Sequence, residues 1–270
     1  MNQEDEFLTA KYIEYRQALS EIERFTPLMP FGWFKSPQTI RLDGEFGLQQ
    51  MAYGDLASEA ARDLANGINH LIVLTMRLEA WGKVIDGLDT EQKFQLLHEF
   101  VQDLAATAIL SPYTLKARFY FAIAHLSHQA NCARQGEGWV DDSTTLPDDR
   151  KIKGDEAARL AKPWRAWKKL IRALETVDNA DYRTATDDFR SKHTHRFTPR
   201  VELGITQPVK RLLAKGEDKP SYGVGGTSPL KLKAVVAELK TQCIRLSKCY
   251  GEFRKLVVEQ STALFGNIDD

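Results

Sequence analysis

The densest concentration of groups able to handle phosphate lies in ten consecutive residues, Asp187-Asp188-Phe189-Arg190-Ser191-Lys192-His193-Thr194-His195-Arg196. The last seven hold two histidines, two arginines and one lysine, and four residues separate Arg190 from His195, an R-x4-H spacing. An imidazole accepts a proton near neutral pH. A guanidinium holds a phosphate by two parallel hydrogen bonds and steadies growing negative charge. RNA carries its own nucleophile, the 2′-hydroxyl, so these two groups suffice for cleavage without a metal. The competing account is a solvated basic helix end, since the negative end of the macrodipole favours cations there. Both accounts stay open at this point. On a helix, His193 and His195 at i, i+2 face different sides, and no acidic or cysteine partner has a recognisable spacing, so a metal site is not expected.

The same stretch, with the following Pro199-Arg200-Val201-Glu202-Leu203-Gly204, resembles the HEPN superfamily (higher eukaryotes and prokaryotes nucleotide-binding domains). Those are helical bundles, often dimeric, whose ribonuclease members carry R-x4-6-H. The specific match covers residues 190–204, within a HEPN-like segment of about 155–265. The resemblance implies a metal-independent endoribonuclease with no cofactor. His195 would be its base and Arg190 its phosphate clamp, with Ser191, Lys192, His193 and Arg196 as binding residues. It also implies a homodimer in which two motifs share one cleft, and a bacterial defence or toxin role with a protein antitoxin as partner. The alternative is a non-catalytic helical module that holds a nucleotide, RNA or a protein; a third account is an unrelated structural bundle. Five residue steps along a straight helix turn about 140°. The Arg190 and His195 side chains therefore converge within one chain only if the helix ends or bends between them, and Pro199 stands near enough to allow that.

Other stretches are weaker candidates. Trp164 and Trp167 are interleaved with Lys162, Arg165, Lys168, Lys169 and Arg172, a mixture that grips single-stranded nucleic acid. The tryptophans share a side with Ile171 and Leu174, however, so they read as core. Arg118 and His125 repeat the motif with a gap of six, but the interval is almost wholly apolar, and both read as structural. Tyr222-Gly223-Val224-Gly225-Gly226-Thr227-Ser228 lacks the Lys-Ser/Thr ending of a phosphate loop and reads as a hinge.

The elements that must position these groups are mostly helices. Apolar residues at helical spacing predict helices over 5–25, 55–85, 90–110, 111–134, 155–177 and 229–265, with a short one after Asp178-Asn179. Asp89 with Gln92 reads as a helix start, as do Ser111-Pro112 and Ser228-Pro229. Pro163 predicts a kink or a restart. Residues 31–53 read as irregular, with Trp33 and Phe34 as anchors and a brief strand over Thr39–Leu42. A flexible loop is expected at 135–154, and 199–227 reads as loop. The expected fold is all-α: a single domain over 1–270, an antiparallel HEPN-like helical bundle with irregular N-terminal and mid-chain loops.

Composition bounds the rest. Thirty-seven Lys and Arg balance 37 Asp and Glu, which excludes a global basic field for nucleic acid and leaves only local patches. The chain is 43% hydrophobic, enough for a core without staples. Its three cysteines, Cys132, Cys243 and Cys249, form no CxxC pair and fit a reducing compartment. The acidic start is unlike a signal peptide. The most apolar run, 68–78, is too short to span a bilayer. A cytoplasmic protein without a membrane segment is the expectation.

Overall fold

The computed structural model describes residues 3–34, 45–135, 144–212 and 219–266. The expected strand at Thr39–Leu42 and residues 136–143 of the expected loop at 135–154 lie outside them. The architecture is all-α: α1 (Gln3–Ser20), α2 (Glu45–Ile85), α3 (Thr90–Leu96), α4 (Gln102–Gln135), α5 (Gly154–Ala161), α6 (Trp167–Glu175), α7 (Ala180–Ala185), α8 (Phe189–His195) and α9 (Leu232–Phe265). One small antiparallel hairpin, β1 (Val209–Leu212) with β2 (Ser221–Val224), interrupts the pattern, with Val209 opposite Val224 and Leu212 opposite Ser221. Among the described residues no helix is long and apolar enough to cross a membrane.

The chain divides into two compact units, each gathered from three segments. The first comprises Met1–Phe25, Ile72–Leu110 and Asn179–Thr241. Its core includes an aromatic stack, Tyr15 on Trp81 (4.3 Å) and Trp81 on Phe100 (4.8 Å). The second comprises Thr26–Leu71, Ser111–Asp178 and Gln242–Asp270. There the fully buried Tyr53 and Phe119 meet the α9 side, Phe119 edge-on to Phe253 at 5.8 Å. Tyr53 donates to Gln260 Oε1 (3.1 Å), and Gln260 Nε2 donates to Ser127 Oγ (2.9 Å), so these three buried polar side chains satisfy one another. Trp33 and Phe34 anchor their segment as expected. The Trp33 indole donates to the Tyr250 hydroxyl (2.8 Å), and Phe34 packs on Tyr53.

Four expectations need correction. The irregular stretch is shorter than 31–53, because α2 is already helical from Glu45. Ser111-Pro112 does not start a helix: α4 runs through Pro112. Proline has no N–H for the Ala108 carbonyl, but Ala108, Ile109, Leu115 and Phe119 are all buried, and their packing outweighs one lost bond. The helix widens earlier instead, in a π-helical turn over Leu97–Val101. Residues 199–227 are not simply loop. Bridges Val201–Leu230 and Thr206–Thr227 pin them, and the glycine-rich stretch read as a hinge supplies β2. Gly226 leaves room for Ile205: a Cβ there would meet Ile205 Cγ2 at 2.3 Å and force that side chain to move. Finally, α9 begins at Leu232 rather than Pro229. The Leu232 N–H donates to the carboxylate of Glu202, which caps the helix from thirty residues away.

Pro163 does produce a restart. Helix α5 ends at Ala161, and α6 opens at Trp167 with Glu259 accepting from the N–H groups of Arg165 and Ala166, both at 2.8 Å. The Asp89 cap is also as expected, accepting from Gln92 N at 2.9 Å.

Candidate nucleic-acid interface

The R-x4-H residues occupy α8 in the first unit, and the chain isolates that helix from its predecessor. Helix α7 is capped by Asn179, whose side chain accepts from Tyr182 N. It ends with Asp187 in the left-handed region (φ 52°). Asp188 N–H reaches the Arg183 carbonyl (2.7 Å) and Asp187 N–H the Thr184 carbonyl (3.1 Å). That bond pattern is a Schellman close, with an aspartate where glycine is usual. Asp188 is left-handed as well (φ 47°), and α8 starts afresh at Phe189. The helix is unbroken to His195, and Arg196 is already extended.

Phe189 is the anchor, 2% exposed, with the His193 ring stacked on it at 5.5 Å. Arg190, Ser191 and Lys192 are half-buried, whereas His193, His195 and Arg196 are exposed. Lys192 pairs with Asp187, which holds the break between α7 and α8. The His193 Nδ1 lies 3.3 Å from the Thr198 hydroxyl. Thr194 donates to the Arg190 carbonyl at 2.9 Å. Among the described residues the side chains of His195 and Arg196 have no hydrogen-bond or ion-pair partner.

Since α8 neither ends nor bends between Arg190 and His195, the two lie about 140° apart around its axis. Ser191 and Lys192, four and three residues before His195, share its side; Arg190 shares a side with Thr194. Neither Arg190 nor His195 lines the cleft next to the helix. That cleft, about 590 Å³, is bounded by Arg196, Phe197, Thr198 and Arg200 on one side and by 205–209 on the other. Among the described residues Arg196 and Arg200 are the only charged ones that line it. Phe197 and Ile205 stand 68% and 65% exposed at its edge. The walls are fixed: Arg200 N donates to Thr206 Oγ1 (3.0 Å), and Leu230 N donates to the Arg200 carbonyl (2.8 Å). A cationic wall, an exposed aromatic ring and hydroxyls can hold a phosphate with a base beside it.

Ile205 and Thr206 were not legible as site residues, because 199–227 reads as loop, and Phe197, just ahead of it, was not singled out. Arg200 was visible only within the stretch that resembles HEPN members. The signal available was Phe197 itself, a large aromatic directly after a basic cluster. The second motif match is structural in its contacts: Arg118 pairs with Asp63 (3.2 Å), and His125 with Asp149 (3.2 Å), two separate partners. Trp164 and Trp167 are buried at 3% and 6%. Among the described residues no three His, Cys, Asp or Glu side chains gather as a metal-ion site would. No protein-family model, no curated protein and no solved structure matches this chain, so the likeness to HEPN proteins stands on residues 190–204 alone.

Proposed function

We propose that this chain binds RNA or a nucleotide through phosphate, at the exposed end of α8 and the arginine-lined cleft beside it. One observation carries this: among the described residues Arg196 and Arg200 are the sole charges lining a cleft with an exposed aromatic edge, and Arg196 directly follows the exposed His195. Phosphate contacts by guanidinium are strong because the bonds are charge-assisted. They are also salt-dependent, because each neutralised phosphate releases counterions. The test is anisotropy of a fluorescent single-stranded RNA titrated with protein at 50 and 200 mM salt. Binding that weakens with salt, and weakens further in Arg196→Ala/Arg200→Ala, is expected; no binding at low salt overturns the reading.

A second reading is favoured by the exposed, unengaged imidazole of His195. In it the chain is a HEPN-like metal-independent endoribonuclease: His195 takes the 2′-hydroxyl proton as the 2′-oxygen bonds to phosphorus, the P–O5′ bond breaks with the 5′-oxygen protonated by water, and Arg190 clamps the phosphate. Because the two face different sides of one helix, the clamp would come from Arg190 of a second copy, which makes the homodimer part of this reading. A toxin or defence role, with a protein antitoxin, belongs to it as well. Incubation of labelled single-stranded RNA with the protein in EDTA decides. Products with 2′,3′-cyclic phosphate ends, lost in His195→Ala and in Arg190→Ala and recovered when the two variants are mixed, support a shared site. RNA bound but left whole leaves the binding reading alone.

A further inference from the structure

We propose that a second cleft of the first unit, between the end of α2 and the start of α9, binds a small amphipathic carboxylate. The inference is independent of the RNA reading, since Arg196, Arg200 and His195 take no part in this cleft. Its volume is about 480 Å³, within the range of about 300–1,000 Å³ usual for small-molecule sites. Leu78, Ile85, Leu232 and Val236 form an apolar floor, each no more than 6% exposed. Gly82 contributes to it by having no side chain: a Cβ there would come to 3.7 Å from Leu232 Cδ2.

The charges around this floor do not cancel. Glu79 and Lys240 are paired at 2.7 Å, and Lys240 also lies over the Phe25 ring at 5.4 Å. Glu202 accepts from Leu232 N and pairs with Lys231. The positive start of α9 meets the negative end of α2, so the helix dipoles largely offset each other. The lining as a whole holds four lysines to three carboxylates, with Lys231 just outside it on Glu202; Lys83, Lys93, Lys233 and Asp86 have no ion-pair partner among the described residues, so the unpaired charge is mostly positive. An apolar body would be desolvated on the floor. A carboxylate would sit at the lysine rim, formed by the half-buried Lys93 and the exposed Lys83 and Lys233, whose charges attract it. A neutral molecule would gain only the first term, and a cation would lose by the second. The charge balance thus selects an anion with an apolar tail.

The test is isothermal titration of the full chain with decanoate, decanol and decyltrimethylammonium, which share a tail and differ in charge. Decanoate should bind saturably, at one site, on the order of tenfold more tightly than either of the others. In the triple variant Lys83→Gln/Lys93→Gln/Lys233→Gln that preference should vanish while decanol binding stays within about twofold. Ala237→Trp, an exposed position on the cleft wall, should weaken decanoate on the order of tenfold by filling the space, with helical circular dichroism unchanged. Equal binding of the three ligands, no saturable decanoate binding, or decanoate binding unaffected by Ala237→Trp overturns the proposal. So does association with anionic phosphatidylglycerol vesicles in the absence of binding to free decanoate.

Discussion

Two segments of this chain mix aromatic rings with cations, and they fold in opposite senses. In 162–174 the tryptophans turn inward. Trp164 donates its indole N–H to Asn131 (3.1 Å), Arg134 lies over its ring, and Leu170 and Leu174 are fully buried alongside. Lys162, Arg165, Lys168, Lys169 and Arg172 are left as a solvated face. In 189–200 only Phe189 and Pro199 are buried, and Phe197 stands in solvent beside Arg196 and Arg200. The difference is periodicity. Helix α6 repeats its apolar positions over more than two turns, enough to make a buried stripe. The left-handed Asp187 and Asp188 and the extended Arg196 confine α8 to seven residues, too few for a stripe, so its aromatic neighbour has no core to enter. An aromatic–basic composition therefore signals binding only where no helical period accounts for the rings.

This contrast is open to attack, most strongly by removing the inward ring. Trp164→Ala should cost about 3–5 kcal/mol in urea unfolding, as large-to-small core changes do, and leave RNA affinity of the folded protein unchanged; lost affinity without lost stability would reverse the assignment of the two segments. The same unit holds buried acids that sharpen its identity as core. Burial pushes the Cys249 thiol from 9.0 up to about 12, despite the nearby Lys116 and Lys248. Burial also raises Tyr120, with Glu175 and Cys249 adding to the shift. For an acid raised in the folded state, the unfolded chain loses its proton first. Stability is intact below pH 9 and falls as pH climbs toward 12, by about 1.4 kcal/mol per unit for one such thiol. Urea midpoints at pH 8 and 10.5 should show that fall, and Cys249→Ala should reduce it; an unchanged slope in the variant would place the thiol in water. The exposed segment should behave in reverse. Arg196→Ala/Arg200→Ala should shift stability by less than about 0.5 kcal/mol but weaken RNA binding on the order of tenfold or more, as charge-assisted bonds do. Equal affinity of wild type and variant would remove the cleft from the site. The smallest effect is expected at the break itself: Asp188→Gly, freed of its left-handed backbone, should change stability by no more than about 1 kcal/mol in the stabilising direction, read from thermal melts.

Much of the helical framework was legible because apolar spacing encodes it, and local caps such as Asp89 and Asn179 were readable for the same reason: donor and acceptor are neighbours in sequence. The helix starts that depend on distant carboxylates were not. Glu259 caps α6 across more than ninety residues, and Glu202 caps α9; no local pattern at Trp167 or Leu232 announces either. Pro112 misled because the rule for proline at a helix start is local, while the burial of Ala108 and Leu115 that carries α4 through it is tertiary. The motif residues were found by type and spacing, and spacing also gave the angle between Arg190 and His195 once α8 proved unbroken. The hairpin and the pinned walls of the 196–209 cleft escaped notice, since their strands are four residues long and mostly exposed.

The double left-handed step at Asp187 and Asp188 has a dynamic consequence. A seven-residue helix cut off from its predecessor is too short to persist by its own hydrogen bonds, and in α8 the single buried ring of Phe189 supplies most of what retains it. Its amides at Lys192 to His195 should therefore exchange with deuterium through a small subglobal fluctuation, far sooner than those of α4 or α9. Any molecule that grips the exposed histidines would slow that exchange, making the helix its own reporter of occupancy.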